Sequence, residues 1–214
     1  ELLAADHHVY CCVRDKGRFN LQRFEDPDIS VIEVDLLKEE TLLNIPPDID
    51  VAYYLVHSMS TSNGDFEKME AASAENFKNR MLQTTVQQVI YLTGIVNESH
   101  LSKHLHSRLQ VEHILKTGNY SFTALRAGII VGSGSASFEI IRDLVEKLPV
   151  MITPKWLNTK TQPIAVRDVV AYLKGVIGLP NALNNSFDIS SGEIFTYKEL
   201  LLKFAAVRGL KRKI

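Results

Sequence analysis

Cysteine is nearly missing from this chain. The only two in 214 residues, Cys11 and Cys12, are adjacent. Neighbours on a strand point to opposite faces, so they make poor disulfide partners and read as buried thiols of a reducing, cytoplasmic compartment. An excess of one charge is also missing: 24 Lys and Arg stand against 25 Asp and Glu, a formal net charge of −1. That balance excludes a broad field for nucleic acid or an anionic membrane surface. No apolar run approaches membrane-spanning length, and no signal-peptide pattern opens the sequence. There is no HExxH. His100 and His104 stand at i, i+4 with Glu98 and His113 nearby, but no third ligand has convincing spacing, so no metal site is expected. The single G-x-G, Gly132-Ser133-Gly134-Ser135, lacks a third glycine and a later acidic residue. It reads as a flexible loop bordering a cleft, not as a phosphate cradle.

What is present is an ordinary globular composition, 45% hydrophobic and 23% charged, enough for one domain with a sizeable core. Strand and helix signals alternate, which predicts an α/β fold with a parallel sheet. Short apolar runs predict strands at Val9–Val13, Val31–Val34, Val51–Val56, Gln88–Leu92, Ser121–Ala127 and Met151–Ile152. Helices are expected over Gly64–Thr84, about Lys103–Lys116 with Gly118 as the stop, Phe138–Lys147 and Val166–Gly178. A last helix is capped by Thr196, with Glu199 three residues on. The basic end, Lys211-Arg212-Lys213, reads as a solvated helix tail.

The opening reads as the end of a helix: Leu2 and Leu3 are apolar and Asp6-His7-His8 is a polar break. A dinucleotide fold places a strand and a glycine-rich turn before such a helix, and the 214 residues hold neither. The sheet is therefore expected to have a gap between the Arg14 strand and the Tyr53 strand, with open strand edges.

Several polar residues fall at strand ends, where open α/β sheets bind ligands. Arg14 follows the first strand, in VYCCVRDKGRF. A guanidinium there suits the 2′-phosphate of NADP, and the other reading is a solvent-exposed loop arginine. Asp35-Leu36 follows the next strand, where Asp also suits a helix N-cap. VAYYLVHSM brings Val56, His57 and Ser58 to a strand end. His57 can hydrogen-bond a ribose or substrate, titrate near neutral pH, or serve as a satisfied structural histidine. Thr93-Gly94 ends the YL strand, where the small Gly94 would leave room for a ligand, and is also a good turn. His104 and Arg108 share one helix face by i, i+4 spacing, and Arg126-x-Gly128 ends the next strand.

Four segments, YYLVHSM, SRLQVEHIL, ALRAGIIVGSGSASFEIIR and the WLNTKTQPIAVRDVVAYL run from Trp156, resemble the atypical, extended-type short-chain dehydrogenase/reductases. They are similar to those related to NmrA and to the NAD(P)-binding subunit of respiratory complex I, including the bacterial group named nucleoside-diphosphate-sugar epimerase or NAD(P)-binding oxidoreductase. The resemblance covers essentially the whole chain. It implies a Rossmann-like doubly wound parallel sheet, strand order 3-2-1-4-5-6-7, whose first strand and Gly-rich loop are absent from the 214 residues. It also implies a small C-terminal substrate lobe, to which 132–165 and 179–214 would contribute within a single domain. Asp35 would meet the adenine amino group and Leu36 pack on the ring. Thr93 would bind the substrate carbonyl. His104 and Arg108 look to stand where the superfamily has Tyr-x-x-x-Lys. The cofactor site would draw on Arg14, Asp35, Leu36, Val56, His57, Ser58, Arg108, Arg126 and Gly128. Catalysis would rest on His104, Thr93 and Arg108, and Phe138, Trp156, Asn158 and Gln162 would line the substrate cleft.

The expected function is an NADP-dependent oxidoreductase of unassigned substrate, with NAD a possible cofactor. Its partners would be a dinucleotide and a small molecule, with a homodimer or a protein partner possible. Arg108 stays charged and cannot supply a proton, so His104 would be the acid or base. A non-catalytic sensor or assembly factor is the alternative, and a sugar-nucleotide epimerase ranks last because such enzymes use the tyrosine.

Overall fold

Parallel pairing organises the chain. The computed structural model describes residues 1–20, 26–56, 66–96, 103–151 and 155–214. Strands β3 (Val51–Tyr54), β4 (Gln88–Gly94), β5 (Ser121–Ala127) and β9 (Asn185–Ile189) form a four-stranded sheet in the order β3-β4-β5-β9, every pair parallel. β1 (Val9–Val13) and β2 (Ile29–Glu33) form a separate parallel pair. β4 and β5 are buried along most of their length because both their faces are covered, and most of their residues are apolar. On one face Val89, Tyr91, Phe122 and Ala124 pack against α2 (Phe66–Met81) and α3 (Lys103–Lys116), through Ala74, Phe77, Met81, Val111 and Leu115. On the other face Ile90, Leu125, Ala127 and Ile189 pack against Val169 of α5 (Val166–Gly175). The fold is thus an α/β Rossmann-like doubly wound sheet.

A buried polar clamp locks the second layer. Gln88 is 2% exposed, and its amide nitrogen donates to the Thr123 hydroxyl (2.9 Å) and the Val176 carbonyl (3.0 Å). Its oxygen accepts from Gly178 N–H at 2.8 Å, and Thr123 donates on to the Ala182 carbonyl. Each polar group buried here has a partner, which lets a glutamine sit inside an apolar sheet.

The third apolar cluster is built from α4 (Ala136–Lys147), the 3₁₀ turn Lys155–Asn158 and α6 (Tyr197–Val207). Ile141, Val145, Leu157, Leu201 and Ala205 are its buried members. Ser135 caps α4 by accepting from Phe138 N–H, so the helix starts two residues before the expected Phe138. α6 carries the expected capping box between Thr196 and Glu199. β7 (Lys160–Thr161) pairs antiparallel with β10 (Phe195–Thr196), and β6 (Ile130–Val131) pairs parallel with β8 (Ile164–Ala165).

Some bounds differ from the sequence reading. The strand expected at Val31–Val34 begins at Ile29, two residues earlier, and the one expected to reach Val56 stops at Tyr54, leaving Leu55 and Val56 about half exposed. α5 ends at Gly175, and the next carbonyl is taken by Gln88. Met151 lies in no strand. Val150 makes a single bridge to Lys213, and Ile152 lies outside the described residues. β9 had no apolar run to betray it: four of its five residues are exposed, as befits the sheet's edge. It falls inside 179–214, so part of that stretch serves the main sheet.

The gap is where the sequence places it. Among the described residues, β1 pairs only with β2 and β3 only with β4. Val9 N–H donates to Asp28 and the Val13 carbonyl accepts from Val34, so odd residues of β1 point toward β2. By strand alternation the N–H groups of Tyr10 and Cys12 point to the open edge. In native-state hydrogen exchange of the 214-residue chain, Tyr10 and Cys12 amides should exchange markedly faster than Cys11 and Val13. Equal protection of all four would show that this edge is covered.

Candidate functional site

The C-terminal ends of β4, β5 and β9 meet in one cluster. Thr93, Arg126 and Asp188 are register partners, so their side chains leave the same face, toward α3. Glu112 of α3 is buried and accepts two bonds from Arg126, Nε at 3.1 Å and Nη2 at 2.8 Å, and a third from the Ser186 hydroxyl at 2.8 Å. One helical turn earlier, the half-buried Arg108 lies over Gly94: a Cβ added there would meet its guanidinium at 2.8 Å. Next to it, Ser107 donates to the Glu70 carboxylate and ties α3 to α2.

Tyr91 and Thr93 lie two apart on this face. Burial pushes the Tyr91 phenol up to about 12, with the Thr93 hydroxyl and the Arg108 charge acting the other way. The Thr93 hydroxyl lies near enough to the phenol to act on it, but no hydrogen bond of ordinary geometry joins the two. Thr93 is 4% exposed, and among the described residues its Oγ1 has no hydrogen-bond partner. An orphaned hydroxyl inside a polar cluster is costly unless something else meets it.

The other expected site residues are spread more widely. Arg14 is exposed and lines a cavity of about 590 Å³ with Val13, Asp15, Arg18 and Phe19. Arg18 was missed in the sequence, although RDKGR holds both arginines one turn apart. Asp15 orders this turn by accepting from Gly17 N–H and lies 3.6 Å from Arg18. Asp35 accepts from Leu37 N–H in a turn before α1 (Glu39–Leu42), whose N-cap is Lys38, so Asp35 is not the helix cap itself. Leu36 packs against the main core, and its carbonyl takes a bond from Asn76. Gly128 allows a close crossing: a Cβ there would fall 1.7 Å from the Gln162 carbonyl oxygen. Phe138 stacks edge-on against Phe204 at 5.3 Å, and Asn158 is exposed. His57 and Ser58 lie outside the described residues. The backbones of His104 and Trp156 belong to α3 and the 155–158 turn, and their side chains lie outside the described residues.

Glu112 should matter to stability. Glu112→Ala leaves the partly buried Arg126 without its anion and Ser186 without its acceptor, so urea unfolding should show a loss of about 3 kcal/mol. A change under about 0.5 kcal/mol, typical of surface positions, would mean that the clamp is idle.

No family model matches the chain, and no curated protein matches it. Solved structures do. An epimerase from Methanothermobacter thermautotrophicus superposes with a TM-score of 0.77 at 14% identity, covering 100% of this chain and 73% of that one. UDP-glucuronic acid 4-epimerase from Bacillus cereus, solved with NAD, gives 0.74 at 17% identity over 99% of this chain and 78% of that one. Triphenylmethane reductase from Citrobacter sp. gives 0.77 at 16% identity over 96% and 68%. At such identities the likeness is one of fold, and the chain has the Rossmann-like fold of these epimerases and reductases.

Proposed function

We propose that the chain is part of an NAD(P)-binding oxidoreductase of the atypical short-chain type, with NADP as its preferred cofactor. The observation that carries the reading is the buried Thr93 hydroxyl, unpartnered beside Arg108 at the strand ends. A carbonyl or hydroxyl brought to this point would satisfy it. The residues present fit a nicotinamide dinucleotide. Arg14 and Arg18 would hold the 2′-phosphate, Asp35 and Leu36 the adenine, and Val56, His57, Ser58 and Arg108 the ribose and its surroundings. Arg126, spoken for by Glu112, and Gly128, pressed on Gln162, would shape the site from behind. When bound, the nicotinamide would supply or take up a hydride. Thr93 would orient the reacting oxygen, and His104, one turn before Arg108, would exchange its proton. A glycine-rich phosphate cradle would enter with a strand filling the gap between β1 and β3.

Arg108, in the place of the usual lysine, favours a second reading, a dinucleotide-binding sensor or assembly factor without turnover. A sugar-nucleotide epimerase ranks behind both, because no Tyr-x-x-x-Lys pair stands on α3.

Cofactor choice is tested by titrating the full-length protein with NADPH and NADH. Losing a charge-assisted bond to the 2′-phosphate costs about tenfold or more in affinity. NADPH should therefore bind more tightly, and Arg14→Ala should erase most of the preference. Equal affinities in the unmutated protein would sink the NADP assignment.

His104→Ala separates the catalytic reading from the sensor. A reductase should lose roughly 10²–10⁴ in turnover, the range for a lost general acid, with NADPH affinity little changed. A rate indifferent to the change would remove His104 from catalysis. NADPH binding without turnover on any carbonyl tried would favour the sensor.

A further inference from the structure

A second cavity, of about 410 Å³, lies within the small apolar cluster between α4 and α6. Its floor is Ile141, Leu157 and Leu201, all under 7% exposed, and Ile140 and Leu144 of α4 form one wall. The volume falls in the range of small-molecule pockets, which are mostly apolar with a few polar groups for orientation. The polar side chains here are Ser137, Thr159 and Tyr197, and none carries a charge at neutral pH. Burial raises the Tyr197 phenol above its ordinary value, so it stays protonated.

Charge decides what the cavity can hold. The charges of α4 are committed elsewhere: Arg142 pairs with Glu139 and Asp143, and Lys147 pairs with Asp143. Among the described residues, no lysine or arginine lines the cavity. A nucleoside diphosphate brings negative charges that need guanidinium, ammonium or metal partners, and an apolar wall would strip their water without return. An uncharged ring system loses nothing there and covers apolar surface that is otherwise wet, including Ile140, which is 62% exposed. Along the chain α4, which starts at Ala136, follows the end of β5 at Ala127, next to Arg126.

We propose that this cavity binds the apolar, uncharged body of the substrate, and that the substrate class is a ring-bearing carbonyl or alcohol without phosphate. The inference rests on the oxidoreductase reading of the strand ends.

The test uses N-phenyl-1-naphthylamine, a neutral dye that brightens in apolar sites, titrated into the full-length protein. Saturable binding is expected, weakened about tenfold by Ile140→Asp and largely kept by Ile140→Leu. Ile140 is exposed, so the Asp variant should fold, and circular dichroism checks that it does. UDP-glucose should not displace the dye. Dye binding that ignores Ile140→Asp, or displacement by UDP-glucose, would overturn the proposal. NADPH titrated into the same two proteins keeps the readings apart. Equal NADPH affinity in both, with dye lost only in the Asp variant, supports the cavity. NADPH binding without any dye binding defeats the cavity alone. Dye behaving as expected without NADPH binding defeats the oxidoreductase reading and leaves an apolar-ligand site.

Discussion

Glu112 reaches from α3 to two strands at once, and the geometry of the candidate site depends on it. Its carboxylate takes Arg126 of β5 and Ser186 of β9. This fixes the height of α3 along the sheet as well as its distance from it. The helix repeats every 3.6 residues, so fixing Glu112 also fixes Arg108 one turn below and the backbone of His104 a further turn on. A buried ion pair adds little net stability over an apolar pair of the same shape. Its contribution here is register: an apolar contact would let α3 slide by part of a turn, and a bidentate pair with a third bond does not. The Glu70–Ser107 bond does the same between α2 and α3.

The break between β1 and β3 places a different demand on the core. Among the described residues no ladder crosses it, and the β1-β2 pair is held to the body by side chains. Val34 is buried in the main cluster with Tyr54 and Phe77, Asn76 of α2 holds the Leu36 carbonyl, and Asn44 holds the Glu33 carbonyl. Arg14 and Arg18 therefore stand on a unit whose distance from Thr93 is set by packing, not by hydrogen-bond register. A strand in the gap would restore two ladders and make the two parts of the sheet one rigid surface.

Much of this was legible in the sequence because buried parallel strands leave a plain mark. VAYY and VIYL are apolar without alternation, as strands covered on both faces tolerate, and VYCCV is equally apolar although Tyr10 and Cys12 are exposed. The helix stop at Gly118 and the capping box at Thr196 were equally readable, since each is a local event. β9 was not, because an exposed edge strand such as NSFDI needs no apolar residues until Ile189. The Gln88 clamp was hidden for the opposite reason: a glutamine in an apolar run looks like a strand end, and only the third dimension brings Thr123, Val176 and Gly178 to it. At the site, the i, i+4 spacing of His104 and Arg108 could be read directly. The commitment of Arg126 to Glu112 could not, because it joins residues that only the β5–α3 packing brings together.

Gly94 shows how one residue can carry two readings that structure separates. In the sequence, a glycine after Thr93 suggested room for a ligand. In the fold, that room is taken by the guanidinium of Arg108. Beside it, among the described residues, no protein atom completes a hydrogen bond to the Thr93 hydroxyl. A long cation laid over a glycine backbone holds its charge close to the strand end without crossing the space in front of it. A lysine at the same position would place a point charge on a flexible stem, whereas the planar fork of arginine lies flat and keeps its orientation. The arrangement gives up proton transfer from this position and keeps a fixed positive field next to an unpartnered hydroxyl. On the proposed reading, proton chemistry falls to the helix turn before it, where the chain carries His104.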